Sequence, residues 1–282
     1  AAMFIYDGSP TFPEVGRIWE MVERHKINML GLSPTFVRAI IPHGTDPIHN
    51  YDLSSLRMFS STGEPWTPDA WRWLFDEVGQ SRLPIINYSG GTEISGGILT
   101  DSPVLPLKPA SFNAPCPGID ADVFGEDGKP LRNAVGELVI KSPWIGMTRG
   151  FWKDKQRYLD TYWSRWPKTW VHGDWARLDQ DGSWYLLGRS DDTIKVAGKR
   201  LGPAEVEAAL NAHQAVMESA AIGVPDPLKG SSVVCFVVLA PSESPSESLQ
   251  ETLKQCVIES LGKPLAPKTV SYTHLRAHET KA

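Results

Sequence analysis

Four sets of residues have the types and spacing to do chemistry. The stretch Tyr88-Ser-Gly-Gly-Thr-Glu-Ile-Ser-Gly-Gly97 holds four glycines around a Thr-Glu pair. Glycines let backbone N–H groups approach a phosphate, Thr92 offers a hydroxyl, and Glu93 offers a carboxylate suited to a hard cation. On its own the stretch reads first as a glycine-rich turn with a solvated acid. Gly63-Glu64-Pro65 is a second set and, taken alone, an ordinary turn. Asp174, between Gly173 and Trp175, and Arg189, at the end of an apolar run, complete the list. A carboxylate accepts hydrogen bonds and a guanidinium donates them in a fixed fork, but read singly these two are a surface acid and a surface base.

The surrounding sequence supplies the elements that must position these groups. Val15, Ile18, Trp19 and Val22 recur at helical intervals over residues 14–26, and Ile27–Leu32 reads as a short buried strand. Ser33-Pro34-Thr35 caps a second helix carrying Phe36, Val37, Ile40 and Ile41. Pro68 opens a Trp-rich helix to about Val78, whose Trp71 and Trp73, like Trp66 just before it, suit core packing. Leu83–Tyr88 is a strand, and Ser89–Gly97 the loop that follows it. Helices alternating with buried strands predict a mostly parallel α/β sheet.

Five prolines between Pro103 and Pro117 interrupt regular structure. Beyond them the pattern changes to strands joined by turns, at Ala121–Phe124, Gly136–Lys141 and Ser183–Gly188, with hairpin signals at Glu126-Asp127-Gly128 and Asp179-Gln180-Asp181-Gly182. After Arg189-Ser190-Asp191-Asp192 a separate α+β unit begins: strand Thr193–Ala197, a helix opened by Pro203, strands Met217–Val224 and Ser231–Leu239, and a helix capped by Ser246 and ending at Gly262. The expected organisation is residues 1–190 as the C-terminal part of a large α/β plus β-barrel domain and 191–269 as a small, mobile, incomplete α+β domain. The last stretch, from Val270-Ser-Tyr-Thr-His-Leu-Arg-Ala-His-Glu-Thr280, resembles a translated transposase sequencing adapter. Residues 270–282 are therefore expected to be a tail, and His274 and His278 are not counted as metal ligands despite their i, i+4 spacing.

Composition removes several function classes. A net charge of -5 with interspersed signs gives no basic stripe for a nucleic acid. The longest apolar runs, such as Val233–Ala240, are far short of the roughly 20 residues of a membrane helix, so no membrane span is expected. The N-terminal residues lack the features of a signal peptide. Cys116, Cys235 and Cys256 form neither a CxxC pair nor a disulfide framework, which predicts a reducing cytoplasmic setting without zinc.

Taken in order, the motifs resemble the AMP-forming acyl-CoA synthetases of the adenylate-forming superfamily, within their acetyl-CoA synthetase-like branch. The most specific run is Trp170-Val-His-Gly-Asp-Trp-Ala176 followed by Tyr185-Leu-Leu-Gly-Arg-Ser-Asp-Asp-Thr-Ile-Lys-Val-Ala-Gly-Lys-Arg-Leu-Gly-Pro-Ala-Glu-Val-Glu207. Ser33-Pro-Thr-Phe-Val-Arg38, Gly63-Glu-Pro65, Tyr88 to Glu93 and Gly136-Glu-Leu138 fall in the family's order. The resemblance covers residues 1 to about 269.

The resemblance implies an acid–thiol ligase that uses ATP, Mg²⁺ and coenzyme A on a small-molecule carboxylate. Gly63, Glu64 and Pro65 would form part of the adenine pocket. Tyr88 would stack on adenine, since Ser89 stands where the family often has an aromatic residue. Thr92 would face the α-phosphate and Glu93 would ligate Mg²⁺. Asp174 would accept hydrogen bonds from the ribose hydroxyls, with Arg189 supporting the same sugar. Asp191 would be the hinge of the small domain, Gly198 would line the pantetheine tunnel, and Arg200 would lie near the nucleotide. Gly90 stands where acetate-specific members close the acyl pocket with Trp, which implies room for a short-to-medium acyl or oxoacyl group.

Two family features are not found in the chain, the Ser/Thr/Gly-rich phosphate loop upstream and the C-terminal catalytic lysine. Lys268 precedes the position expected for that lysine. The chain alone is accordingly expected to adenylate poorly. The alternatives are a carrier-protein-loading adenylation domain and a non-catalytic nucleotide-binding fragment. Free CoA as the acceptor would discriminate against the first, and acyl-AMP formation against the second.

Overall fold

The computed structural model describes residues 2–190, 194–196, 199–227, 230–240 and 243–273. Two compact units divide at Gly118–Ile119, just after the proline-interrupted stretch. Asp191, Gly198, His274 and His278 lie outside the described residues.

The first unit is built around a five-stranded sheet in the order β1-β2-β3-β4-β5. Helix α1 (Arg17–His25) precedes β1 (Met29–Leu32). Helices α2 (Pro34–Ile40) and α3 (Asp46–His49) connect β1 to β2 (Met58–Ser61), and α4 (Pro68–Trp73), extended by a wider turn over Leu74–Val78, connects β2 to β3 (Ile85–Gly91). Parallel neighbours need such crossovers, and β1, β2 and β3 are parallel. Ser33 caps α2, its Oγ accepting the Phe36 N–H at 3.2 Å. The core contains Trp19, Val22, Val37, Phe59, Trp66, Trp71 and Ile85, with Trp73 packed against it.

The chain then reverses. β3 and β4 (Gly96–Thr100) form an antiparallel hairpin, and β5 (Ala114–Pro115) pairs with β4. The loop expected over Ser89–Gly97 is therefore mostly strand, and only Thr92–Ser95 remains as the turn. The register pairs Gly90 with Gly97 and Gly91 with Gly96. Two facing pairs without side chains let the backbones close where bulkier residues would hold them apart.

The second unit opens with an antiparallel sheet in the order β6-β7-β8-β9: β6 (Ala121–Phe124), β7 (Val135–Ile140), β8 (Trp170–Leu178) and β9 (Trp184–Arg189). Helix α5 (Lys155–Tyr162) lies between β7 and β8 in sequence. Asp154 caps it by accepting the Arg157 N–H at 3.1 Å, and Tyr162 stacks on Trp170 with ring centroids 4.1 Å apart.

A further sheet in the same unit runs β11 (Lys199–Leu201), β10 (Ile194–Val196), β13 (Gly230–Leu239) and β12 (Val216–Asp226), with β14 (Thr269–Tyr272) parallel to β13. Helices α6 (Pro203–Asn211) and α7 (Glu247–Leu261) cover a core that includes Val206, Leu210, Val233, Cys235, Leu253 and Val257. Ser246 caps α7, accepting the Leu249 N–H at 3.2 Å. Residues 270–272, expected to be the start of a tail, lie in β14, and Val270 is 0% exposed. No helix among the described residues is long and apolar enough to cross a membrane.

Candidate functional site

Each unit carries some of the candidate residues. In the first unit the loop after β2 holds Gly63, Glu64 and Pro65. The Glu64 carboxylate reaches back to α2: Oε1 accepts the Thr35 N–H at 2.8 Å and, more closely, the Thr35 hydroxyl, while Oε2 accepts from Arg38 Nη2 at 2.7 Å. Arg38 also donates to Thr35 Oγ1 at 2.9 Å. Burial pushes the Glu64 carboxyl up, but the hydrogen bonds from Arg38 and Thr35 outweigh it and leave the group below its ordinary range. Two segments 29 residues apart in sequence are thereby joined. Sequence reasoning gave Thr35 and Arg38 no role, although both lie in a motif it quoted.

Thr92 and Glu93 sit at the tip of the β3–β4 hairpin, Thr92 exposed and Glu93 half-buried. Buried Ile94 anchors the same turn, and its N–H and that of Ser95 both donate to the Gly91 carbonyl at 3.1 Å. Tyr88 is partly exposed on β3, and its ring lies so close to Gly97 that a Cβ there would stand 2.7 Å from Tyr88 Cδ2. At Gly90 a Cβ would stand 2.0 Å from the Gly96 carbonyl oxygen. The absent side chain is thus answered at this point by a closer approach of the β4 backbone, where the sequence reading expects open room.

Beneath the hairpin, Asp101 Oδ2 accepts the Asn87 N–H at 3.0 Å and the Asp101 N–H donates to the Asn87 carbonyl at 2.9 Å. Burial pushes the Asp101 carboxyl up to about 7, against the hydrogen bonds from the Asn87 and Asn113 backbone. Its other oxygen has no hydrogen-bond partner among the described residues.

In the second unit Asp174 on β8 and Arg189 on β9 are cross-strand neighbours. Arg189 Nη1 donates to Asp174 Oδ1 at 3.3 Å and to the His172 carbonyl at 3.5 Å. Gly173 has φ +85°, a conformation that favours glycine, and a Cβ on it would stand 2.9 Å from Arg189 Nη2. Buried His172 puts Nε2 3.7 Å from Asp174 Oδ2. The carboxylate is largely enclosed, whereas Arg189 is about half exposed. For Arg200 the backbone alone is described, and it pairs with Lys195 across β10 and β11.

The donor set bears on magnesium. No cluster of three or more His, Cys, Asp or Glu side chains occurs among the described residues. Mg²⁺ commonly takes one or two carboxylates together with substrate phosphates and water, and Glu93 at the hairpin tip, in no ion pair among the described residues, fits that pattern. The three cysteines are free, and burial, with Glu207 nearby, pushes the Cys235 thiol up to about 12. A thiol held protonated in this way is a poor nucleophile.

The chain is similar to known proteins along most of its length. Residues 1–152 match the family model described as AMP-binding enzyme, and residues 205–275 match that of the AMP-binding enzyme C-terminal domain. The chain is 40% identical over 276 residues to the acetyl-coenzyme A synthetase of Pyrobaculum aerophilum, an alignment covering 96% of this chain and 41% of that protein. The acetoacetyl-CoA synthetase from Streptomyces lividans superposes with a TM-score of 0.83 at 33% identity, over 95% of this chain and 41% of that one. An anthranilate CoA ligase solved with anthranoyl-AMP gives a TM-score of 0.79 at 25% identity, over 95% of this chain and 50% of that one. The chain therefore spans half or less of the length of these relatives.

Proposed function

Since the chain belongs to the AMP-binding enzyme family, we propose that it serves an AMP-forming acid–thiol ligase, which joins a carboxylate to ATP as acyl-AMP and then transfers the acyl group to coenzyme A. The observation that carries this reading is the Asp174–Arg189 pair. An enclosed carboxylate, held by a cross-strand guanidinium beside a left-handed glycine, is preorganised to accept two hydroxyl hydrogens of a ribose. The solved relative holding an acyl-AMP supports the same nucleotide.

In this reading Gly63–Pro65 borders adenine and Tyr88 offers it an aromatic face. Thr92 donates its hydroxyl to the α-phosphate. Glu93 would hold Mg²⁺, which when bound spreads the charge of the departing pyrophosphate. The substrate carboxylate attacks the α-phosphorus in line and pyrophosphate leaves. The small domain then turns about Asp191, bringing Gly198 to the pantetheine arm and Arg200 toward the nucleotide. The thiol attacks the acyl carbon and AMP departs. Position 90 carries no indole, although the β4 backbone closes on that point, and the acyl group of this reading is a short-to-medium or oxoacyl carboxylate.

AMP binding to the chain, measured by calorimetry, tests the carrying observation. Asp174→Ala should weaken it roughly 10- to 100-fold, the loss of hydrogen bonds to a charged acceptor. Equal binding by the variant would remove Asp174 from the nucleotide site. The overall reaction is tested in a chain extended to its relatives' length, by carboxylate-dependent pyrophosphate release and acyl-CoA formation across acids from acetate to octanoate. A rate with acetate above those with butyrate and acetoacetate would overturn the substrate assignment, and absence of both products would favour a nucleotide-binding module.

A further inference from the structure

The Gly136-Glu137-Leu138 motif has no part in the scheme above, yet its carboxylate is deeply buried. Glu137 is 1% exposed. Two side chains from distant segments converge on it in short contacts, Arg165 Nη1 on one oxygen and the Ser190 hydroxyl on the other. Arg165 is itself fixed, lying over the Trp166 ring at 4.4 Å, and Trp166 meets Phe124 of β6 edge-on with centroids 5.6 Å apart. Ser190 is held a second time, because its N–H donates to the Gly173 carbonyl at 2.8 Å. Gly173 and Arg189, the neighbours of these contacts in the chain, belong to the Asp174 site, and Asp191 comes next after Ser190. Taking a carboxylate out of water carries a desolvation cost that an apolar side chain avoids, and what this carboxylate secures is the end of β9.

We propose that Glu137 is a positioning residue that clamps Ser190, so that the small domain turns from a fixed point while Asp174 and Arg189 keep their geometry. The proposal rests on the reading of Asp191 as the pivot. Its components separate cleanly by mutation. Ser190→Ala removes the hydroxyl alone and Ser190→Thr restores one. Glu137→Ala removes both acceptor oxygens, so Arg165 and Ser190 each lose this partner.

The test is amide hydrogen exchange on the full chain. For the peptide covering residues 188–201, exchange should be at least about tenfold faster in Ser190→Ala and Glu137→Ala and unchanged in Ser190→Thr, with β6 and β8 keeping wild-type protection. Wild-type exchange in Ser190→Ala would overturn the clamp. So would acceleration spread evenly over residues 119–190, because Glu137 would then only support the sheet. The pivot is examined separately through the distance between labels at Lys155 and Glu251, with and without AMP and coenzyme A. One fixed distance under all conditions would overturn the pivot and the turning role given to Glu137, whatever the exchange data say of Ser190.

Discussion

Asp101 is a buried carboxyl with one oxygen that has no hydrogen-bond partner among the described residues. Folding raises its pKa from roughly 3.9 to about 7. A carboxyl raised in this way contributes stability that is fully present below pH about 4 and is lost as the pH rises through 7. Asp101→Asn cannot ionise, so its stability relative to wild type should rise across that window by as much as roughly 4 kcal/mol, whatever constant offset the buried amide adds. Denaturant titrations at pH 4, 6 and 8 would show it, and a pH-independent difference would mean that Asp101 ionises at its ordinary value. Gly90 makes a second prediction at this scale. Its Cβ direction ends on backbone, which cannot swing aside as a side chain can, so Gly90→Ala should cost about 1–3 kcal/mol and loosen the Thr92–Glu93 turn. An unchanged melting temperature would show that the hairpin opens freely.

Among the elements, the loop after β2 is tied to α2 through a single glutamate. Charged hydrogen bonds of this kind contribute about 1.5–3 kcal/mol, and because the Glu64 pKa is lowered, their contribution is present above the ordinary carboxylate range and fades as pH falls through the folded value. Glu64→Gln should therefore be less stable than wild type at pH 7 and converge on it in acid, as thermal unfolding at the two extremes would reveal. A gap that persists unchanged in acid would assign the loss to shape instead of charge. The same clasp shows what the sequence could and could not disclose. The periodicity of Trp19, Val22, Val37 and Ile40 predicts helices because each such face is read locally, and the described helices follow it. The partners of Glu64 lie 29 and 26 residues upstream, and those of Glu137 lie 28 and 53 residues downstream, at separations no local pattern encodes. Helix α5 escaped notice for a different reason, since its buried side is marked only by aromatic residues such as Tyr158 and Tyr162. Their spacing of four, with Asp154 at the cap, was the available signal. In the glycine-rich segment the sequence revealed the residue types needed near a phosphate but not the pairing of Gly90 with Gly97, because glycine is as compatible with a close strand pair as with a loop.

At the scale of the whole molecule the question is how far along the chain the small sheet extends. Nothing in the periodicity of residues 270–282 required a strand, yet Val270 enters the same core as Val233, Cys235 and Val257, and residues 269–272 keep register with Val234–Val237. Tyr272 adds a tie to the start of α7, its hydroxyl donating to the Ser246 carbonyl at 2.8 Å. Edge strands are stabilised by what they bury as much as by their ladder, so substitution and truncation here should give graded results. Removing residues 274–282 should leave the unfolding transition where it is. Removing 270–282 takes away three strand residues, the buried Val270 and the tyrosine tie among them, and should destabilise the core of α6, α7 and β13 by roughly 2–4 kcal/mol, comparable to Val270→Asp. Amide protection along β13 is the sensitive measurement, because that strand loses its parallel neighbour. If protection in β13 is the same with and without residues 270–272, β14 contributes nothing to the small sheet and the fold is complete without it.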